Sequence, residues 1–383
     1  MAVYLLGFAA SLALIAYAEK KRLPVFLAFS AAALLIPFLI AGLRAPQVGT
    51  DVMVYVRPLT QAAISSDSLE AFFQSYWFAD WRNLYVQDYE IGFSLLVYTV
   101  AKLTHSLPAV LFSIQALITV PIYVALARNR KQVPVWLGMA VFYLLFFNST
   151  LNMMRQWAAM GFLLLAFQML TERKYWLTAI FTAVAFLFHS TAVIVLPVYG
   201  IYWILRLVHP KLLVHNKLEI HTSSVVTALL FLLGIFAILN LPLMIKLLSL
   251  VGLNRFNSYL EGGQMALMIN QIILRLPLCI AFIVCWRDML RFHRATPFFL
   301  AMLFLDMVSS QLVSVDINAI RIGYYFSIYS VLWLPMLSSS SNSHVRRVLV
   351  ALFILAYGLF FWYYAHVHTM RHETYPYAFT TFH

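Results

Sequence analysis

The sequence predicts an all-α polytopic membrane protein with about 12 transmembrane helices plus re-entrant or interfacial helices. Of the 383 residues, 63% are hydrophobic and only 10% are charged. Apolar runs of about 17–22 residues recur along the chain, which is the length that crosses a hydrocarbon core. The net charge of +12 is interpreted as Lys and Arg that orient loops, so we expect no nucleic-acid partner.

The apolar runs define the candidate spans. They cover residues 2–18, 23–43, 107–127, 133–148, 153–170, 175–188, 190–206, 223–241, 266–286, 296–313, 321–337 and 348–365. The first run has no basic residues before it and no small-residue cleavage site after it. We therefore expect it to be a retained helix with its N-terminus outside rather than a signal peptide.

Basic clusters follow many of these runs and predict the topology. They lie at residues 19–22, 128–131, 172–174, 206–217, 286–294 and 344–347. Loops rich in Lys and Arg stay in the cytoplasm, so we place all of these clusters there and expect both termini outside. From residue 128 onward, an even number of crossings separates each cluster from the next.

The weakest apolar candidate is the segment 89–104. It is short, opens beside Asp88 and Glu90, and contains Lys102. We expect a re-entrant or interfacial helix here. The alternative lets it span and puts one basic cluster outside. With a re-entrant or interfacial helix at 89–104, the chain is predicted to be a single integral membrane domain, 1–383, with an external loop at about 44–106.

The aromatic stretch "LEAFFQSYWFADW" belongs to this external loop. Amphipathic interfacial helices carry Trp and Tyr at headgroup depth, and that is our interpretation of Trp77 and Trp81. Stacking of these rings on sugars is the alternative.

Several positive side chains lie on the external side, against the positive-inside bias. They are Arg44, Arg155, Arg255, Arg321 and His189. Arg is costly inside the membrane edge, so such a group is a functional-site hypothesis. The alternative is internal ion pairing, for example of Arg44 with Asp51 or of Arg321 with Asp316.

A set of guanidinium groups at one membrane face suits a phosphate or diphosphate, because Arg binds such oxygens bidentately and keeps its charge. Sugar transfer from a lipid diphosphate requires that charge developing on the leaving group be stabilised. It also requires a proton acceptor for the attacking hydroxyl. Asp51, Glu90 and His189 are the candidates, and the residues alone do not rank them.

Five stretches carry a family likeness: "LRAPQVGTD" (43–51), "YEIGF" (89–93), "MRQWAAMGFLLLAF" (154–167), "FHSTAVIVLP" (188–197) and "RIGYYF" (321–326). The chain resembles the EpsG family of exopolysaccharide polymerases, related to Wzy-type O-antigen and capsule polymerases. The resemblance implies a GT-C-like glycosyltransferase in the bacterial inner membrane, with its site at the periplasmic face. A polyprenyl-diphosphate-linked oligosaccharide would be the donor, a lipid-linked repeat unit the acceptor, and a chain-length-regulating co-polymerase a partner.

The motifs also imply site residues. Arg44 and Asp51 match an Arg and Gly-Thr-Asp element, Glu90 a Glu-x-Gly element, Arg155 and Gln156 an Arg-Gln element, and His189 and Ser190 a Phe-His-Ser element. We predict catalytic roles for Asp51, Glu90 and His189. We predict substrate binding by Arg44, Arg155, Gln156, Ser190, Arg255 and Arg321. Many members have Tyr after Gly-Thr-Asp where this chain has Val52, which leaves open an aromatic contact beside Asp51.

Two other functions share these features. A flippase or transporter of lipid-linked glycans would also bind a diphosphate, but such proteins place charged sites near the midplane, where only Arg275 fits. A glycan ligase or single-sugar transferase differs only in its acceptor. The histidines at 366–368, with His372 and Glu373, are interpreted as a polar tail. We therefore predict no metal and no cofactor, and no nucleotide-binding motif occurs.

Overall fold

The computed structural model describes residues 1–79, 81–207, 211–215, 218–221, 267–314 and 320–380, with isolated residues between 225 and 240. It confirms the predicted all-α polytopic membrane fold. Seven helices in the described part are long and apolar enough to cross a membrane. They are Ala2–Glu19, Leu23–Gly42, Leu107–Ala127, Ser190–Leu207, Ile269–Phe292, Thr296–Ser314 and His344–His368.

The chain divides into two compact units, Met1–Val193 with Leu349–His383, and Ile194–Val348. We call them the first and second units. The single membrane domain stays a prediction, as does the total number of spans. The expected span 223–241 lies outside the described residues, apart from isolated positions.

The first unit contains most of the described helices. They are α1 (Ala2–Glu19), α2 (Leu23–Gly42), α3 (Arg57–Ser65), α4 (Leu69–Gln74), α5 (Ile91–Thr104), α6 (Leu107–Ala127), α7 (Val135–Leu145), α8 (Phe147–Thr150), α9 (Met154–Thr171) and α10 (Tyr175–Phe186). Strands β1 (Tyr76–Ala79) and β2 (Arg82–Tyr85) form an antiparallel hairpin where the sequence predicts an interfacial helix. That expectation was wrong for Tyr76–Ala79, which form a strand, whereas Leu69–Gln74 is helical as α4. The cause is visible in the sequence, because aromatic residues in "YWF" favour strands over helices.

The second unit contains α11 (Val195–Leu207), the hairpin of β3 (Lys211–His215) and β4 (Leu218–His221), α12 (Ile269–Phe292), α13 (Thr296–Ser309), α14 (Ile320–Ser327) and α15 (Ser330–Ser340). Helix α16 (His344–Trp362) begins in this unit and ends in the first.

Three basic clusters meet at one end of the first unit, which we call the basic end. Arg128, after α6, forms an ion pair with Glu172, after α9. Glu19, at the end of α1, accepts a hydrogen bond from the amide N–H of Trp136 at 2.8 Å. Arg130 lies over an aromatic ring in the first turn of α2, 4.0 Å from its centroid. The clusters that the sequence assigns to one side of the membrane are therefore neighbours.

The direction of the helices follows from these contacts. Helices α6 and α9 both finish at the basic end, so they run parallel and begin at the opposite end of the unit. Helix α2 starts at the basic end and finishes opposite. The loop that follows α2 and the first turn of α9 consequently share one end, which we call the site end.

In the second unit, two further basic clusters meet where Arg346 binds Asp288 at 2.7 Å. Arg275, the charge that favoured a transporter, forms two hydrogen bonds with Asp306 of α13, at 2.7 and 3.0 Å. Pairing with a carboxylate on the neighbouring helix thus explains why Arg275 lies within an apolar helix. Asp306 was not predicted as a partner of Arg275, because it lies alone within an apolar run.

Helix α5 fits the re-entrant or interfacial interpretation. Its 14 residues extend about 21 Å, which is less than the roughly 30 Å of a hydrocarbon core. Its N-terminus follows Glu90, which contacts the start of α9, and its C-terminus lies just before the start of α6. Both ends are therefore at the site end. The location relative to the bilayer stays a prediction.

Cysteine labelling tests this location. Single cysteines at Asp88 and Ser106, in a variant lacking Cys279 and Cys285, are both expected to react with an impermeant thiol reagent added outside. A cysteine at Lys131, at the basic end, is the control and should react only after permeabilisation. Reaction of Ser106→Cys solely from the inside would mean that α5 spans.

Candidate active site

Glu90 joins three of the motifs that the sequence singled out. Arg155 donates from Nη1 to Oε2 of Glu90 at 2.5 Å. The Nδ1 atom of His189 lies 2.9 Å from Oε1, and the amide N–H of Ser190 donates to the same oxygen at 3.1 Å. The exposed fractions of the Glu90, Arg155 and His189 side chains are 15%, 25% and 20%. These groups, which we call the Glu90 cluster, are partly buried yet reachable from solvent.

A glycine allows the cluster to form. The amide N–H of Gly92 donates to the carbonyl oxygen of Leu187 at 2.8 Å. A Cβ atom at Gly92 would come within 2.6 Å of that oxygen, which no side chain tolerates. The first turn of α5 can therefore lie directly on the turn after α10, and this contact brings Glu90 beside His189. This close approach explains why the Glu-x-Gly motif has a Gly at its third position.

The surroundings keep Glu90 ionised. Burial by itself raises the pKa of this carboxyl, but the hydrogen bond with His189 and the charge of Arg155 outweigh burial and lower its pKa to about 2. At neutral pH the carboxylate is a charged acceptor and a weak base. When Nδ1–H of His189 donates to it, Nε2 carries the lone pair and can accept a proton.

Aromatic rings fix the guanidinium of Arg155. Its central carbon lies 5.1 Å from the ring centroid of Tyr55 and 4.8 Å from that of Tyr89. Trp77 stacks on Tyr89 with an interplanar angle of 19°. Cation–π contacts of this kind are worth about 0.5–2 kcal/mol and depend on ring placement. Arg155 is thus held by a carboxylate and two rings.

Asp51 lies one side chain away from this cluster. The hydroxyl of Tyr55 donates to Oδ2 of Asp51 at 2.7 Å, and the Asp51 amide N–H donates to Oδ1 of Asn152 at 3.0 Å. Burial raises the pKa of Tyr55 well above its ordinary value, so the hydroxyl stays protonated and can donate. Tyr55 therefore supplies the aromatic contact that Val52 left open, and it links Asp51 to Arg155.

The Gly-Thr-Asp element also depends on a glycine. Gly49 has φ +89°, a conformation that favours glycine. A Cβ atom there would come within 2.7 Å of the Leu151 carbonyl oxygen. The loop after α2 therefore approaches the residues just before α9, and Asp51 is presented toward Asn152.

Arg44 lies beneath the site rather than on its surface. Its exposed fraction is 2%. Nη2 donates to the Leu151 carbonyl at 2.9 Å and contacts the Met154 sulfur at 3.5 Å, while the buried Nε has no hydrogen-bond partner in the described part. Burial lowers the pKa of Arg44 to about 10, so it is still charged at neutral pH. These bonds go to a carbonyl and a thioether rather than to Asp51.

The remaining predicted site residues are distributed more widely. Gln156 is buried in the first turn of α9. Arg321 is exposed at the start of α14 in the second unit. Arg255 and Asp316 lie outside the described residues, so the Arg321–Asp316 pair stays a prediction. Trp81 is exposed between β1 and β2.

The expected absence of a metal also stays a prediction. Within the described ranges, no group of three His, Cys, Asp or Glu side chains is placed to hold a metal ion. His366 is buried, with Nδ1 facing the Arg371 carbonyl at 3.4 Å.

Comparison with known proteins identifies the family. A model of the EpsG family matches residues 27–379, a range that contains the Glu90 cluster, Arg44, Asp51 and Arg321. Searches of curated proteins and of solved structures gave no match. The match extends over most of the 383 residues. The chain therefore belongs to the EpsG family, which indicates a polysaccharide polymerase.

Proposed function

We propose that this protein transfers a polyprenyl-diphosphate-linked glycan onto a lipid-linked repeat unit, with the site facing outward. The observation that carries the proposal is the Glu90 cluster, in which one carboxylate binds a cation suited to a diphosphate and a histidine suited to proton transfer. Membership of the EpsG family supports the reaction class.

The helix directions support an outward-facing site. Arg44, Asp51, Glu90, Arg155 and His189 belong to the site end of the first unit, opposite the basic end. Basic loops are retained in the cytoplasm. If the basic end is cytoplasmic, the Glu90 cluster opens on the periplasmic side of an inner membrane.

The proposed reaction forms a bond between the acceptor hydroxyl oxygen and the anomeric carbon of the donor. The bond from that carbon to the diphosphate oxygen breaks, and polyprenyl diphosphate leaves. The hydroxyl proton passes to Nε2 of His189, which Glu90 orients through Nδ1. Negative charge develops on the leaving diphosphate, and Arg155 has N–H donors besides the one on Glu90 with which to stabilise it.

Of the three base candidates, we propose His189, and the contacts of each candidate support that choice. Glu90 is disfavoured because its pKa of about 2 makes it a weak base. His189 is favoured because its Nδ1 is already engaged by a carboxylate, the arrangement that orients histidine bases in other enzymes. Asp51 already accepts a hydrogen bond from the Tyr55 hydroxyl, so we propose it as the base only after His189.

A reconstituted assay tests the function. Purified protein in nanodiscs receives polyprenyl-diphosphate-linked repeat units from its own host, and the products are separated on a gel. We expect a ladder from the wild type, and a yield lowered by about 100–1000-fold in Arg155→Ala, because one transition-state donor is lost. Arg128→Ala is the matched control, since it breaks an equivalent Arg–Glu pair at the basic end.

Other outcomes contradict the proposal in distinct ways. Labelled lipid that moves to the opposite leaflet without a ladder would indicate a flippase. Product that forms only with a different acceptor would indicate a ligase. A ladder retained in a folded Arg155→Ala variant would remove Arg155 from the site.

A further inference from the structure

A segment distant in sequence lies against the loop that follows α2. The amide N–H of Ala45 donates to the Ala378 carbonyl, and the amide N–H of Thr380 donates to the Leu43 carbonyl, both at 2.8 Å. The hydroxyl of Tyr377 donates to a carbonyl in the last turns of α2 at 2.9 Å. The 373–380 segment therefore runs antiparallel to the beginning of the loop that carries Asp51.

Glu373, in this segment, forms hydrogen bonds with Gly49 and Thr50, the two residues before Asp51. The amide N–H of Gly49 donates to the Glu373 carbonyl at 3.0 Å. The hydroxyl of Thr50 donates to Oε2 of Glu373 at 2.5 Å. Glu373 thus binds the loop through its backbone and its side chain, immediately before the residue that contacts Tyr55.

The backbone around Glu373 is strained and anchored. Met370, His372 and Glu373 have φ values of 48°, 70° and 53°, in the left-handed region that non-glycine residues rarely adopt. The next residue, Thr374, is buried, and its side chain accepts a hydrogen bond from Asn148 at 2.9 Å. Strained residues persist where the surroundings fix them, and they cluster at functional sites.

We propose that Glu373 is a positioning residue for Asp51, which makes the 370–380 segment part of the site. The carboxylate fixes Thr50, and this sets the direction in which Asp51 leaves the loop toward Tyr55 and Arg155. The catalytic consequence rests on the proposed function, but the structural coupling does not. Glu373 itself touches no reacting group.

Two matched pairs of variants test the proposal in the full chain in nanodiscs. Glu373→Gly removes the carboxylate while suiting the positive φ, and Glu373→Gln keeps an acceptor at that position. Thr50→Val removes the donor, and Thr50→Ser keeps it. Hydrogen exchange of the peptide over residues 45–52 reports the loop, and polymerisation kinetics report the reaction.

We expect faster exchange over residues 45–52 in Glu373→Gly and Thr50→Val, with kcat lowered about 10-fold and KM nearly unchanged. Glu373→Gln and Thr50→Ser should remain close to wild type. The double variant Thr50→Val, Glu373→Gly should be no worse than either single variant, because both remove the same hydrogen bond.

Two results would overturn the proposal: unchanged exchange in both disruptive variants, or additive losses in the double variant. A wild type without polymerase activity would remove the proposed function, yet the exchange data would still decide the positioning role. Were Glu373→Gly to fail to fold, Thr50→Val and Glu373→Gln would carry the same comparison.

Discussion

Replacing Glu90 with Gln is expected to lower polymerisation by about 100-fold or more, since a misoriented base loses roughly that much. The substitution removes the charge that Arg155 binds and replaces one carboxylate oxygen with an NH2 group, so the side chain can no longer accept from Arg155 and from His189 at the same time. Initial rates of polymer formation, with the melting temperature of each variant, measure the effect. Glu172→Gln is the matched control, because it neutralises the equivalent carboxylate at the basic end.

The pH dependence sharpens this test. The pKa of Glu90 is lowered to about 2, so its stabilising contribution is complete above the ordinary Glu pKa and is lost only as the pH falls toward 2. The loss of stability in Glu90→Gln, measured as the drop in melting temperature, should therefore be nearly constant between about pH 5 and 9. A loss confined to acidic pH, or a folded variant that retains half of the activity, would contradict the role assigned to Glu90.

Replacing Arg44 with Met is expected to leave stability equal or higher while lowering polymerisation by about 100-fold. Arg44 is a buried cation that, among the described residues, bonds to a carbonyl and a thioether. Replacing buried ion pairs with well-packed apolar side chains is often neutral or stabilising, and Arg44 bears the same cost of a charge removed from water. Its retention would then reflect the support that Arg44 gives to the site above it, through the Leu151 carbonyl, rather than the stability of the fold.

Thermal unfolding and initial rates separate these roles. Arg130→Met is the matched control, since Arg130 also has a buried nitrogen without a hydrogen-bond partner in the described part, at the basic end. It should retain activity. An Arg44→Met variant with a clearly lowered melting temperature would indicate a structural role, and one with full activity would show that polymerisation does not depend on Arg44.

The sequence predicted the helices well because a bilayer imposes length and apolarity on each span. The boundaries of α2 and α6 agree with those expected to within a residue. Residues 76–79 were mispredicted because aromatic residues suit an interface in either conformation. The local pattern did not distinguish a hairpin from a helix.

The motifs identified the residues of the Glu90 cluster but not how they are arranged. Arg155 and His189 lie 65 and 99 positions from Glu90, so their shared carboxylate depends on helix packing. Glu373 was interpreted as part of a polar tail, because no local pattern relates it to a loop more than 300 positions earlier. The burial of Arg44 could not be predicted from the sequence either, since a charge at the end of a span suggests exposure.

The bond between Thr50 and Glu373 also sets the order in which the protein becomes competent. The two residues are 323 positions apart, so at ordinary translation rates the ribosome adds the second roughly 15–65 s after the first. Throughout that interval Thr50 lacks its Glu373 partner, while the intervening helices enter the bilayer. A chain with one misinserted helix would leave the 370–380 segment away from its loop. The site is thus complete only when every helix has inserted correctly, and a misassembled polymerase is inactive.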